Sequence, residues 1–137
     1  MPKLLSRLLL LAAIPLLVAC ENSATAFMVE GSQHAVILVR EQAYFWSEEI
    51  DQAVVVSRLP HCQRRVGIHP GGVELAEVDV YEAGDLLWAL RQGQHWYLAS
   101  TERCLVQDWA HDGPPPGALV GTFRLRDGKP AFVPAGG

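Results

Sequence analysis

Residues 121–133 read GTFRLRDGKPAFV. Asp127-Gly128 lies between two strand-like arms, and such a two-residue loop favours a type I′ turn, in which both central residues take positive φ. Phe123 and Leu125 share one face while Thr122, Arg124 and Arg126 share the other, the period-two alternation of a half-buried strand. Pro130 has no N–H to give to a ladder, which places the second arm at a sheet edge. The stretch is a β-hairpin.

The chain before it reads the same way. Residues 26–46, AFMVEGSQHAVILVREQAYFW, are rich in β-branched and aromatic residues and hold no proline, with Gly31-Ser32 as the natural turn. Ala35 to Val39 is apolar at every position, which predicts a strand buried on both sides and continuing toward Trp46. Ser47-Glu48-Glu49 supplies a turn, and DQAVVVSRLP is a second apolar strand stopped by Pro60. The segment HCQRRVGIHPGG reads as loop at its end, because Pro70-Gly71-Gly72 breaks regular structure.

VELAEVDVYEA shifts phase between Leu75 and Ala76, which predicts a β-bulge there and turns Glu74, Glu77 and Asp79 to water. Residues 85–97 admit two readings. Either Gln92-Gly93 is a hairpin turn that pairs Leu90 with His95 and Trp88 with Tyr97, or Asp85 caps a short helix that Gly93 ends. GPPPG at 113–117 must be loop. Short strands with regularly spaced turn signals predict a mostly β fold, or α+β with one short helix: a small antiparallel β-sandwich or open barrel. The four tryptophans are expected in its core, with Trp96 and Trp109 partly exposed.

At the start of the chain, MPKLLSRLLLLAAIPLLVAC sets Lys3 and Arg7 before an apolar segment from Leu8 to Ala19. That is the length of a signal-peptide core and too short to span a bilayer as a helix. Its end, Leu17-Val18-Ala19-Cys20, resembles the lipobox of bacterial lipoproteins, over residues 1–20 only. The resemblance implies a diacylglyceryl group on the Cys20 thiol, cleavage just before it and acylation of the new amino terminus; several chains anchor stably where one binds only marginally. Glu21 stands where an aspartate favours inner-membrane retention in enterobacterial lipoproteins, so the resemblance implies the outer membrane, facing the periplasm. On this reading residues 1–19 are signal peptide, 20–26 are lipidated cysteine and tether, and 27–137 are a single mostly β domain. At about 3.3–3.6 Å per residue the tether reaches roughly 20 Å.

Of the 11 basic residues, Lys3 and Arg7 leave with the signal, while all 15 acidic residues stay. An acidic domain argues against nucleic acid as a partner and offers no polybasic patch for anionic lipid. With Cys20 lipidated, Cys62 and Cys104 remain in an oxidising compartment, where a disulfide is the economical reading and a free thiol or metal ligand the alternative.

His61, Cys62 and His69, with Cys104 or His95, contain zinc-ligand chemistry but no paired ligand spacing, and a disulfide would consume both thiols, so no metal or other cofactor is predicted. Ser57, Ser100 and Thr101 stand in no nucleophile context, GxSxG is missing, and the acids around Glu74 to Asp79 read as a solvated face, so no catalytic residue is assigned. HWYLAS and QDWAHDG bring histidine near tryptophan, as a sugar-stacking site would, or as core aromatics beside exposed histidines. Arg58 with Arg64-Arg65, or Arg124 with Arg126, would suit a phosphate or an acidic partner, or simply water. The expectation is a non-enzymatic outer-membrane lipoprotein, held to the membrane through Cys20 and serving as an accessory or binding module for an envelope protein. The alternatives are a periplasmic inhibitor or capture protein using the loop at 111–117, and a cell-wall hydrolase.

Overall fold

The computed structural model describes residues 22–72 and 76–136. Among these residues ten strands form two antiparallel sheets: β1 (Asn22–Glu30), β2 (His34–Glu41), β3 (Glu49–Arg58) and β4 (Cys62–Gly72) make one, in that order. The other has the order β10-β9-β5-β6-β7-β8, built from β5 (Val78–Gly84), β6 (Leu87–Gln92), β7 (His95–Ser100), β8 (Leu105–Trp109), β9 (Leu119–Arg126) and β10 (Lys129–Pro134). Among the described residues there is no helix, and so none long and apolar enough to cross a membrane.

Alternate residues of each sheet meet between them. Val36, Leu38, Val54 and Val56 from the four-stranded sheet pack on Val78, Val80, Trp88, Leu90, Tyr97 and Phe123 from the six-stranded one. The edge strands β1 and β10 close one seam, where Phe27 lies 4.7 Å from Phe132, ring centre to ring centre. At the other seam the Cys62–Cys104 disulfide, with Cα atoms 6.2 Å apart, ties the start of β4 to the turn after β7. Of the two expected architectures, sandwich or open barrel, two antiparallel sheets stapled by one disulfide are the sandwich.

The hairpin at 121–133 forms as read. Asp127 and Gly128 take φ of 52° and 76°, Arg126 pairs with Lys129, and β10 with Pro130 is an edge. Residues 85–97 resolve as a hairpin, with the turn one position later than predicted, at Gly93-Gln94. Gln92 therefore pairs with His95 and Leu90 with Tyr97. A two-residue change of partner preserves the faces, so Leu90 and Tyr97 both stay buried.

Other expectations change. β1 begins at Asn22, inside the stretch read as tether, because Asn22 to Ala26 pair with Ile37 to Glu41. β2 stops at Glu41 rather than continuing toward Trp46. β4 runs through Pro70-Gly71-Gly72, which the sequence marks as loop. It can do so because it is an edge strand and because the register shifts between Ile50 and Gln52, placing Pro70 in a bulge. Gln52 Nε2 donates to His69 O at 2.9 Å and Arg40 Nη2 to Gly72 O at 2.6 Å, so buried side chains satisfy carbonyls on both sides of the bulge. The bulge predicted at Leu75-Ala76 falls partly outside the described residues; Ala76 and Glu77 are exposed and precede β5.

Candidate binding surfaces

On the four-stranded sheet, the residues that alternate with the core positions point outward. Across the register, Ala24, Val39, Ala53 and Gly67 form one row, Ala26, Ile37, Val55 and Arg65 the next, and Met28, Ala35, Ser57 and Gln63 a third. Only Arg65, Ser57 and Gln63 are polar. Val55 and Ala53 are buried although they belong to neither apolar cluster of the fold. Met28 stays 45% exposed. Arg65 on β4 reaches Glu41 on β2, 3.3 Å away, across the outer side of β3. The strand predicted to be buried on both sides packs on the second sheet through Val36 and Leu38, and on its other side Ala35 is buried while Ile37 and Val39 are half-buried.

Part of the outer face of the six-stranded sheet is covered by the chain itself. The connection from β8 to β9 returns across it, with His111 edge-on to Trp96 at 5.1 Å and Ala118 O accepting from Glu82 N at 2.9 Å. At Gly117 a side chain would collide with Glu82 O, which is why glycine follows the prolines. His111 stacks on Trp109 at 3.9 Å and its Nε2 lies 2.7 Å from Pro114 O. Beside them the Arg91 guanidinium lies over Tyr81 and Trp96, 5.2 and 5.3 Å from the ring centres. Asp79 holds it from below, 3.1 Å from Arg91 Nη2, and also accepts from Thr122 Oγ1 at 2.8 Å. Burial, with the Asp79 charge adding to it and Arg91 opposing, pushes the Tyr81 phenol above its ordinary range. A depression of about 360 Å³ remains between Arg91, Gln94, Trp96 and Asp112.

The histidine–tryptophan neighbours of the sequence thus meet as Trp96, Trp109 and His111. His95 stacks on His69 instead, at 4.2 Å. Asp79, read as facing water, is half-buried and bonded, because Arg91 and Thr122 come from the strands on either side of β5. Cys62 and Cys104 bond to each other, and among the described residues no group of three or more His, Cys, Asp or Glu gathers as metal ligands. Cys20 and Glu74 lie outside the described residues. Arg124 and Arg126 are exposed, as is Arg64, whereas Arg58 is half-buried. Ser57 and Ser100 are buried, and Ser100 Oγ accepts from Arg103 N.

Two features were not legible in the sequence as sites. His34 Nε2 and Thr101 Oγ1 lie 2.6 Å apart, with Glu30 Oε2 4.0 Å from His34 Nδ1. This has the order of an acid, a base and a hydroxyl, but Thr101 is fully buried, so the hydroxyl is out of reach of a substrate and the set links the two sheets. Tyr44, Phe45 and Trp46 stand exposed together between β2 and β3. The tryptophans therefore divide: Trp88 is in the core, Trp96 and Trp109 lie on the covered outer face, and Trp46 is exposed. Comparison with protein-family models, curated proteins and solved structures found no match to this chain.

Proposed function

We propose that the protein is a lipid-anchored, non-catalytic binding module of the bacterial envelope, held at the periplasmic side of the outer membrane through Cys20. Its partner is another envelope protein, which docks on the outer face of the four-stranded sheet. The observation that supports this is the mostly apolar outer face around Ile37, exposed along β1 at Ala24, Ala26 and Met28 and crossed by the Arg65–Glu41 pair. A mostly apolar exposed face that carries a few polar groups suits a protein partner. The reading of the 111–117 loop as an inhibitory plug has less support, since His111 packs that segment on Trp96 and Trp109 of the sheet it crosses.

The test places a photocrosslinking residue at Ala26, which is exposed on that face, in intact cells. One recurrent envelope protein, captured by the native chain and lost both in Cys20→Ser and in Ala24→Glu, is the expected result. An acylated chain that forms no protein adduct at Ala26 would sink the proposal.

A further inference from the structure

Tyr44, Phe45 and Trp46 are 57%, 67% and 66% exposed. Three consecutive large aromatics open to water make a patch that calls for a partner. The rings pack on one another: Tyr44 stacks on Trp46 at 4.9 Å, and Phe45 meets Trp46 edge-on at 4.7 Å. The backbone beneath them is closed, since Ser47 N donates to Tyr44 O, and Gln42 Nε2 donates to Phe45 O and Ser47 O. A loop whose carbonyls are already bonded loses less on leaving water.

The register says what lies beside this loop. Asn22, the first residue of β1, pairs with Glu41, the last residue of β2 before the loop. Paired strands are about 4.8 Å apart, and the two residue steps from Cys20 to Asn22 span at most about 7 Å. A membrane that holds Cys20 therefore meets the end of the sandwich that carries the three rings. We infer that Tyr44, Phe45 and Trp46 enter the headgroup layer of that membrane as a second, non-covalent contact that sets the domain's orientation. The inference rests on the reading of Cys20 as lipidated.

The ring chemistry fits that layer, where tryptophan and tyrosine are enriched because each joins an apolar body to a polar tip. Charge selects the lipid. Glu48, Glu49 and Asp51 follow the loop and are exposed, and Glu41 before it is exposed and paired with Arg65, an excess of acids that disfavours an anionic surface and fits a zwitterionic one. With this end down, the strands stand up from the bilayer and the outer face of the four-stranded sheet, exposed along β1 at Ala24, Ala26 and Met28, faces sideways.

The full chain, produced in a bacterial host, is checked by intact mass for acyl groups on Cys20 and then reconstituted into phosphatidylcholine vesicles brominated on the acyl chains near the headgroup. Tryptophan emission should be quenched, and Trp46→Phe should remove the quenched component while leaving the emission of Trp88, Trp96 and Trp109. Acylated protein that is quenched equally with and without Trp46, or not at all, overturns the inference and leaves the anchor standing. A chain without acyl groups overturns the anchor and the inference together.

Discussion

His34 and Thr101, 67 positions apart, share a 2.6 Å hydrogen bond in the buried space between the two sheets. β2 begins at one partner, and the other follows the last residue of β7. Thr101 also donates its backbone N–H to Leu86 O at 3.1 Å, so one residue joins the β7–β8 turn to both sheets. Thr101→Val keeps the shape but leaves an imidazole nitrogen unsatisfied, and should lower unfolding free energy by about 1–3 kcal/mol. Adding His34→Leu should recover part of that loss, because an apolar pair has no orphaned polar atom. A denaturant titration of the single and double variants decides it: a fully additive loss would mean that the pair is not coupled.

The Cys62–Cys104 bond closes a span of 42 positions. Replacing both cysteines with alanine should cost about 4 kcal/mol through the extra freedom of the unfolded chain. The denaturation midpoint should fall, with the strand signal in circular dichroism retained below it. An unchanged midpoint would show that the bond adds nothing to the seam.

Asp79 accepts from Arg91 and Thr122, which belong to β6 and β9, the strands flanking β5. Asp79→Ala should destabilise by about 1–2 kcal/mol, limited by the partial exposure of the ion pair. It should also shift Trp96 emission, because Arg91 would no longer be held over that ring. Asp79→Asn should restore the Thr122 bond but not the charge, and so fall between the two.

Tyr97 offers a pH test. Burial raises its phenol above the ordinary value of 10.0, the His69 N–H that it accepts opposes this, and Asp108 adds to it. A folded-state pKa above the unfolded one contributes stability that is fully present below about pH 10 and is lost as pH rises through the folded value. Unfolding free energy should therefore fall on going above pH 10, and Tyr97→Phe should flatten that fall. An equal slope in both proteins would place the alkaline loss elsewhere, with Tyr81 as the next group to replace.

Among the four strands of the first sheet, the sequence marks β2 and β3 by their apolar runs but misplaces the ends of β1 and β4. The cause at β4 is visible. Pro70 and two glycines carry a loop signal that is overridden by Gln52 and Arg40, residues from strands whose pairing no local window contains. The aromatic loop was missed for a similar reason. Tyr44 to Trp46 have strong strand propensity, and only the end of pairing at Glu41 turns them into an exposed tip.

By itself the sequence determined the features whose physics is local: the positive φ of Asp127-Gly128, the edge position demanded by Pro130, the loop at 113–117 and the period-two faces. The tertiary structure alone decided which faces meet. It buried His34 against Thr101, turned Asp79 from water to Arg91, stacked His69 on His95, and left the face around Ile37 on the outside. Those outcomes depend on cross-strand register and on how two sheets close over each other, and a pattern of period two says only that a strand has two sides, not what lies against them.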